Sequence, residues 1–310
     1  MRILVVGAGA TGGYFGGRLL AAGRDVTFMV RAARAEKLAK AGLVMRSPLG
    51  DANLPAPPTV TAEALAKPFE LILLSCKAYD LSAAMDAFAP AVGENTAILP
   101  LLNGMRHLDD LGERFGSERV LGGLAVISST LDADGAIIHL NDSHLLAFGE
   151  RSGSSSARIQ AITSTLSGAG FEARLSNAIV HEMWEKWVFI ASTAGINCLM
   201  RAAIGDIVAA GAADLAEALL NECCAIAAAQ GFPPTAANVQ RMHGILAAPG
   251  SAFTASMLRD VERGTPIEGD HIIGDLLRRG GRPHDYPLLR IADAHLKSYE
   301  ARRTRQHPRA

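Results

Sequence analysis

The chain has 310 residues, of which 49% are hydrophobic, and its 30 basic and 31 acidic residues leave a formal net charge of −1. This length exceeds what one hydrophobic core usually supports, which favours two domains. The near-neutral charge argues against a surface for nucleic acid or an anionic membrane, so we expect a small-molecule partner.

Short apolar segments alternate with helical patterns over the first 115 residues. The apolar segments read RILVV, DVTFMV, ELILLSC and TAILPLL, and helices are predicted after them over residues 12–22, 33–41, 80–88 and 105–115. Nearly continuous apolar strands separated by helices are typical of a parallel sheet covered on both faces. The predicted fold class is therefore α/β, with a Rossmann-type N-terminal domain.

The first strand runs into the glycine cluster GAGATGG, in which Gly7, Gly9 and Gly12 have G-x-G-x-x-G spacing. Here Gly7 permits a tight turn, Gly9 lets a pyrophosphate approach the backbone, and Gly12 lets the helix pack closely on the strand. Ala10 and Thr11 lie at the start of that helix, whose N–H groups can bind phosphates. We predict dinucleotide binding, and the alternative is a turn without a ligand.

The end of the second strand indicates which dinucleotide binds. A site for NAD usually has an acidic residue there, whereas this chain reads FMVRAAR. An arginine suits a 2′-phosphate that a carboxylate would repel. We therefore predict NADPH, with Arg31 as the main contact and Arg34 as a second candidate. The alternative is that both arginines are solvated at the start of a helix.

Polar residues follow the next two predicted strands. Lys77 comes just after LLSC, and Asn103 just after PLL. Ligands of open α/β sheets lie beyond the carboxyl ends of the strands, so both side chains are candidates for the ligand crevice.

From residue 119 to residue 150 the pattern changes to two β-rich segments with turns predicted at Asp132 and Asn141. They predict a hairpin or meander that extends the sheet, with antiparallel pairing. A Ser/Gly-rich run then leads into a helix and the strand FEARLS. We place the first domain at residues 1–176.

Beyond Ser176 the sequence predicts only helices, over residues 178–200, 207–229, 236–246, 254–263, 271–279 and 286–299, with glycines and prolines between them. We expect an all-α C-terminal domain over residues 177–310. Its basic tail, ARRTRQHPRA, is predicted to fray.

Lys186 lies between two tryptophans at the head of a long uncharged apolar stretch. Desolvation there would lower the pKa of its ammonium group. A ketone that accepts hydride becomes an alkoxide, which a positioned ammonium can stabilise and protonate. The alternative is a lysine at the edge of a core helix, paired with Glu182 or Glu185.

Five motifs occur in order between residue 1 and about residue 300: GAGATGG, CKAYD, LLNGM, WEKW and SMLRDVERGTPIE. Together they resemble the ketopantoate reductase (2-dehydropantoate 2-reductase) family. The resemblance implies a Rossmann domain followed by a helical domain, with NADPH in the cleft. It also implies reduction of ketopantoate to pantoate, a step of pantothenate and coenzyme A biosynthesis.

The resemblance also implies roles for individual residues. The glycines and Arg31 would bind NADPH, and Lys77 and Asn103 would line the junction of cofactor and substrate. Lys186 would be the general acid. Ser256 and Glu268 would contact the substrate, with Glu268 also supporting the lysine electrostatically. No metal is expected.

The helix that carries Lys186 departs from the family pattern. Biosynthetic members have asparagines four and eight residues after the lysine, where this chain has Ile190 and Ala194. Thr193 and Asn197 each lie about 20° from Lys186 around a helix, but Asn197 lies about 16 Å along its axis. We therefore expect Thr193 near the substrate.

Three functions stay open from the sequence. The first is reduction of ketopantoate itself. The second is reduction of a more apolar 2-keto acid without the terminal hydroxyl, because two hydrogen-bonding groups are missing from the pocket. The third is a non-catalytic sensor that binds NADPH.

Cysteine use and the apolar segments indicate the compartment. The four cysteines have neither C-x-x-C spacing nor the density of a disulfide scaffold, which favours a reducing environment. Residues 187–200 form too short an apolar stretch to span a bilayer, and the N-terminus lacks the basic segment of a signal peptide. We expect a soluble cytoplasmic protein without membrane contact. Its composition is compatible with a homodimer.

Overall fold

The computed structural model describes residues 1–306. The strands are β1 (Ile3–Val6), β2 (Val26–Met29), β3 (Leu43–Arg46), β4 (Ala52–Leu54), β5 (Thr59–Val60), β6 (Leu71–Leu74), β7 (Ala97–Pro100), β8 (Gly122–Leu131), β9 (Ile137–Gly149) and β10 (Glu172–Leu175). The helices are α1 (Ala10–Ala21), α2 (Ala32–Ala41), α3 (Leu81–Phe88), α4 (Arg106–Phe115), α5 (Ala157–Leu166), α6 (Ile179–Met200), α7 (Ile204–Ala209), α8 (Ala213–Ala229), α9 (Ala236–Leu246), α10 (Ser256–Glu262), α11 (Asp275–Arg279) and α12 (Pro287–Gln306). A π-helical turn, Asp270–Gly274, leads into α11.

The first sheet is parallel, in the order β5-β2-β1-β6-β7. Every residue of β1, β6 and β7 is buried, as expected for strands covered by helices on both faces. The predicted fold class is confirmed, with an α/β region first and a helical region after it. The sequence does not predict β5, because two residues are too few to show a strand pattern.

The second sheet has the order β10-β9-β3-β4, and β8 pairs antiparallel with β9. The predicted hairpin is present, but it belongs to this sheet instead of extending the first one. An isolated bridge joins Ile98 of β7 to Val120, just before β8. The predicted turn at Asn141 is wrong. β9 continues through it, and the Asn141 side chain accepts a hydrogen bond from Ser128 N (3.1 Å) where the strand register shifts.

Helix α1 packs against strands of both sheets because glycines line its buried faces. A Cβ atom at Gly16 would lie 2.8 Å from Val5 Cγ2, and one at Gly13 would lie 2.6 Å from Ile137 Cδ1. Tyr14 and Phe15, between these glycines, are fully buried. Glycines outside the three motif positions therefore also determine how closely the helix approaches the strands.

The second half of the chain is helical, and no strand follows Leu175 among residues 1–306. The predicted helix over 207–229 is two helices, since Gly211 adopts φ +77° between α7 and α8. The predicted helix over 271–279 begins with the π-helical turn. α12 continues to Gln306, so the predicted fraying is wrong for residues 301–306; residues 307–310 lie outside the described residues.

The chain divides into two compact units. The first comprises Met1–Leu102 and His107–Val180, and the second begins at His181 and also includes Asn103–Arg106. We propose residue 176 as the domain boundary, immediately after the last strand.

Candidate active site

The glycine turn after β1 is held by a serine from the next strand of the sheet. Gly7 adopts φ +95°, a conformation that residues with side chains rarely take. Ser75, just after β6, donates hydrogen bonds to Val6 O (3.0 Å) and Gly7 O (3.1 Å). A Cβ atom at Gly12 would lie 1.9 Å from Ser75 Oγ, so only glycine fits there. Ser75 belongs to no recognisable sequence motif, so its role is not predicted from the sequence.

The N-terminus of α1 can accept an anion. Gly9 is the N-cap residue and provides no side-chain cap, and Ala10 and Thr11 begin the helix without an acidic residue in its first turn. A Cβ atom at Gly9 would meet no protein atom within 4 Å. The positive end of the helix dipole and its N–H groups therefore face space that a phosphate can fill.

The two predicted arginines differ in their surroundings. Arg31 lies between β2 and α2, its side chain is 83% exposed, and its Nη2 lies 3.2 Å from Asp80 Oδ1. Arg34 is partly buried and donates a hydrogen bond to Gly135 O (3.0 Å) in the turn between β8 and β9. Arg31 is thus available to a ligand, whereas Arg34 ties α2 to the hairpin.

Lys77 and Asn103 each follow a strand by three residues, Lys77 after β6 and Asn103 after β7. These strands are neighbours and run parallel, so the chain leaves them at the same edge of the sheet. Lys77 is exposed in the first unit, and Asn103 is partly buried in the second unit.

Lys186 lies on α6, in the second unit, and is partly buried. Burial lowers the pKa of its ammonium group to about 8, and the charge of Glu268 acts in the opposite direction by raising it. Glu185, which the sequence offers as a partner for the lysine, has other partners. Its carboxylate accepts hydrogen bonds from Thr235 N and Oγ1 (both 2.8 Å) and from Asn238 at the start of α9.

Glu268 is partly buried and lies two residues before the π-helical turn. The indole of Trp187, next to Lys186, donates a hydrogen bond from Nε1 to Ile272 O in that turn (2.9 Å). In the sequence the two tryptophans indicate only an apolar environment for Lys186, and this contact is not predicted.

The other predicted substrate residues differ in burial and in their hydrogen bonds. Ser256 is exposed at the first position of α10. Thr193 is 2% exposed and donates its hydroxyl proton to Phe189 O (2.7 Å), so it keeps only lone pairs to offer a ligand. Ile190 is partly buried and Ala194 is buried, so neither the fourth nor the eighth residue after Lys186 provides a hydrogen-bonding side chain.

Asn197 has a structural position, in agreement with its distance from Lys186 along the helix. Its amide donates to Ala202 O (2.8 Å) and its carbonyl accepts from Ala255 N (2.9 Å). It therefore joins the end of α6 to the residue that precedes Ser256.

Among residues 1–306, no group of three or more His, Cys, Asp and Glu side chains is placed to hold a metal ion. Over the same residues, none of the helices combines the length and apolar character needed to cross a membrane.

Comparisons with known proteins give consistent matches over both halves. Models of the families described as "Ketopantoate reductase PanE/ApbA" and "Ketopantoate reductase PanE/ApbA C terminal" match residues 3–153 and 178–292. The uncharacterized oxidoreductase YkpB of Bacillus subtilis (strain 168) is 38% identical, over 97% of this chain and 99% of its own length.

Solved structures match at similar coverage. The structure of 2-dehydropantoate 2-reductase from Geobacter metallireducens GS-15 has a TM-score of 0.87 and 30% identity, over 96% of this chain and 99% of that one. D-mandelate dehydrogenase with NADH and anilino(oxo)acetate has a TM-score of 0.85 and 20% identity, over 98% and 99% of the two chains. The second match shows similarity of fold.

Proposed function

The chain belongs to the ketopantoate reductase family and is an oxidoreductase, and we propose that it uses NADPH to reduce the ketone of a branched 2-keto acid, with Lys186 as the general acid. One observation carries this proposal. The Lys186 ammonium is buried deeply enough to lower its pKa to about 8, and it lies in the field of the Glu268 carboxylate.

The residues of the first unit fit a nicotinamide dinucleotide. The open space at Gly9 and the uncapped start of α1 suit its pyrophosphate, and the exposed Arg31 suits a 2′-phosphate. The bound cofactor supplies the hydride. We favour NADPH over NADH because no acidic residue occupies the position of Arg31 to bind a free ribose hydroxyl.

Lys186 delivers the proton of the reaction. As the ketone accepts hydride, charge develops on its oxygen, and the ammonium stabilises this charge and then donates its proton. With a pKa of about 8, Lys186 is still protonated at pH 7 but is a stronger acid than a free lysine at about 10.4. Glu268 keeps the ammonium charged. We assign Asn103 and Ser256 to substrate binding and Lys77 to the cofactor, with Thr193 as a hydrogen-bond acceptor.

We expect Arg31→Ser to raise the KM for NADPH by about 10- to 100-fold and to change the KM for NADH little. A charge-assisted hydrogen bond to phosphate contributes about 1.5 to 3 kcal/mol, and the exposed pair with Asp80 contributes little to the folded state. Initial rates with both cofactors measure the change. Arg34→Ser tests the second predicted contact, and Lys37→Ser on α2 is the control. Equal losses with NADPH and NADH would contradict the assignment.

The apolar side chains of Ile190 and Ala194 favour a second candidate within the same reaction, a 2-keto acid that lacks the terminal hydroxyl of ketopantoate. A pocket without hydrogen-bonding partners gains nothing from that hydroxyl and must desolvate it. Ketopantoate stays the first named substrate to test, because the family match includes it.

A matched pair of substrates separates the two candidates. Ketopantoate and 3,3-dimethyl-2-oxobutanoate differ only in the hydroxyl, and the second candidate predicts a kcat/KM that is higher for 3,3-dimethyl-2-oxobutanoate by about 10-fold or more. NADPH oxidation with a panel of 2-keto acids measures both values. The highest kcat/KM for ketopantoate would support the pantothenate pathway. Tight NADPH binding without reduction of any acid would support the sensor alternative.

A further inference from the structure

The π-helical turn Asp270–Gly274 receives contacts from the sequence neighbours of two proposed site residues and closely follows a third. Trp187 follows Lys186, Gly104 follows Asn103, and Glu268 itself lies two residues before the turn. π-helical turns are rare and occur frequently at functional sites. The position of this turn, next to three proposed site residues, therefore favours a functional role for it.

The contact from α6 is a directed hydrogen bond. Trp187 is fully buried, and its indole Nε1 donates to Ile272 O at 2.9 Å. A buried carbonyl that loses such a donor costs about 1 to 3 kcal/mol, so the bond holds the indole at one point of the turn. Because Lys186 is the adjacent residue of the same helix, the bond also limits movement of the lysine relative to Glu268.

The contact from the Asn103 loop is steric and electrostatic. Gly104 adopts φ +81°, and a Cβ atom there would lie 3.1 Å from His271 Cδ2 and 3.2 Å from His271 O. Arg106 Nη1 lies 3.3 Å from Asp270 Oδ2. The loop that presents Asn103 therefore rests on the same turn.

One ion pair connects the turn to α11, and another lies within α11. Arg278 Nη1 lies 2.8 Å from Asp270 Oδ1, and Arg279 Nε lies 2.9 Å from Asp275 Oδ2. The Arg279 guanidinium also lies 5.7 Å from the centre of the Trp187 ring. The Asp270–Arg278 pair therefore connects the turn to α11, and the buried Asp275 carboxylate holds Arg279, which lies over Trp187.

We propose that the π-helical turn sets the relative positions of Asn103, Lys186 and Glu268, and that Trp187 is the positioning residue that fixes Lys186 to it. The inference rests on the proposed function for the role of Lys186, but the geometry it describes is independent of turnover. Loss of the indole donor lets α6 shift away from Glu268. The carboxylate then raises the lysine pKa less, and the proton donor is misplaced.

The test removes the indole N–H and measures Lys186 directly. Trp187→Phe lacks the donor, and 3-benzothienylalanine at position 187 lacks it while keeping the volume of the ring. The pKa of Lys186 is read from the pH dependence of its acetylation by acetic anhydride, resolved by peptide mass spectrometry, with NADPH oxidation measured in parallel. We expect that pKa to fall by about half a unit or more. We also expect kcat to fall about tenfold or more, with a smaller change in KM.

Trp184→Phe is the matched control. It makes the same change on α6, where Trp184 stacks on Phe232 with the ring centres 5.4 Å apart and packs on Trp187 with the ring centres 4.9 Å apart. It therefore alters the packing around Trp187 but keeps the hydrogen bond from Trp187 Nε1 to Ile272 O. The Arg279 guanidinium lies over the Trp187 ring, and Glu268 is the charge that raises the pKa of Lys186; the variants retain both groups. An unchanged lysine pKa in the benzothienyl protein, or equal shifts in Trp184→Phe, would overturn the inference. Absence of reduction in the unaltered protein would overturn the proposed function, while the labelling would still test the positioning.

Discussion

Replacing Lys186 with methionine is expected to lower kcat for 2-keto acid reduction by about 10²- to 10⁴-fold, with little change in the Kd for NADPH. Methionine keeps a long apolar side chain on α6 but carries neither the proton nor the charge that stabilises the developing alkoxide. NADPH oxidation gives kcat, and fluorescence titration gives the Kd. Lys67→Met, at an exposed lysine, is the control. Unchanged turnover would exclude Lys186 as the general acid.

The pH dependence of kcat/KM for reduction is also expected to follow the protonation of Lys186. A general acid acts only while protonated, so kcat/KM for reduction falls as pH rises through about 8, the pKa to which burial lowers Lys186. The Glu268 charge raises that pKa, and Glu268→Gln therefore moves the fall to lower pH. A fall at the same pH in both proteins would show that Glu268 does not act on the lysine.

Alanine substitutions at two motif glycines are expected to have different effects. Gly9→Ala adds a Cβ that meets no protein atom within 4 Å, so we expect an unchanged Tm but at least about tenfold weaker NADPH binding, because the methyl group occupies the phosphate space. Gly12→Ala adds a Cβ 1.9 Å from Ser75 Oγ and 2.4 Å from Gly7 O. It must displace α1 or the turn, and we expect it to destabilise the protein by about 1 to 3 kcal/mol or more and to abolish binding.

Thermal unfolding and NADPH titration of both variants test this separation. Gly244→Ala is the control, since it lies in α9 with open space at its Cβ and should leave cofactor binding unchanged. Equal losses of stability in Gly9→Ala and Gly12→Ala would contradict the two roles. An unchanged NADPH affinity in Gly9→Ala would show that the pyrophosphate does not bind at this turn.

The parallel sheet could be predicted because strands that are buried on both faces have nearly continuous apolar sequences. β1, β6 and β7 are apolar at almost every position, and only strands covered by two helical layers read this way. β3 and β4 show no such pattern, since both are short and partly exposed. β3 pairs with the distant strand β9, and β4 pairs with β3 at the edge of the sheet. The same limit explains why the hairpin could be predicted but its sheet could not.

The proposed site residues could be named from motifs, whereas the residues that hold them could not. Ser75, Asn197 and Trp187 each act through a backbone group that is far away in sequence. Serine, asparagine and tryptophan are common residues with many roles, so their types alone predict none of these contacts. The π-helical turn likewise has no sequence signal that distinguishes it from the predicted α-helix.

The sequence by itself determined the α/β and helical halves, the glycine turn, the place of Arg31 and the apolar environment of Lys186. Hydrophobic periodicity and local backbone requirements depend only on residues that are close in sequence. Only the tertiary structure decided that Arg34 binds a hairpin, that the Glu185 carboxylate accepts hydrogen bonds from the start of α9, and that Trp187 binds the turn beside Glu268. These outcomes depend on which groups long-range packing brings within hydrogen-bonding distance, and that information is absent from local sequence.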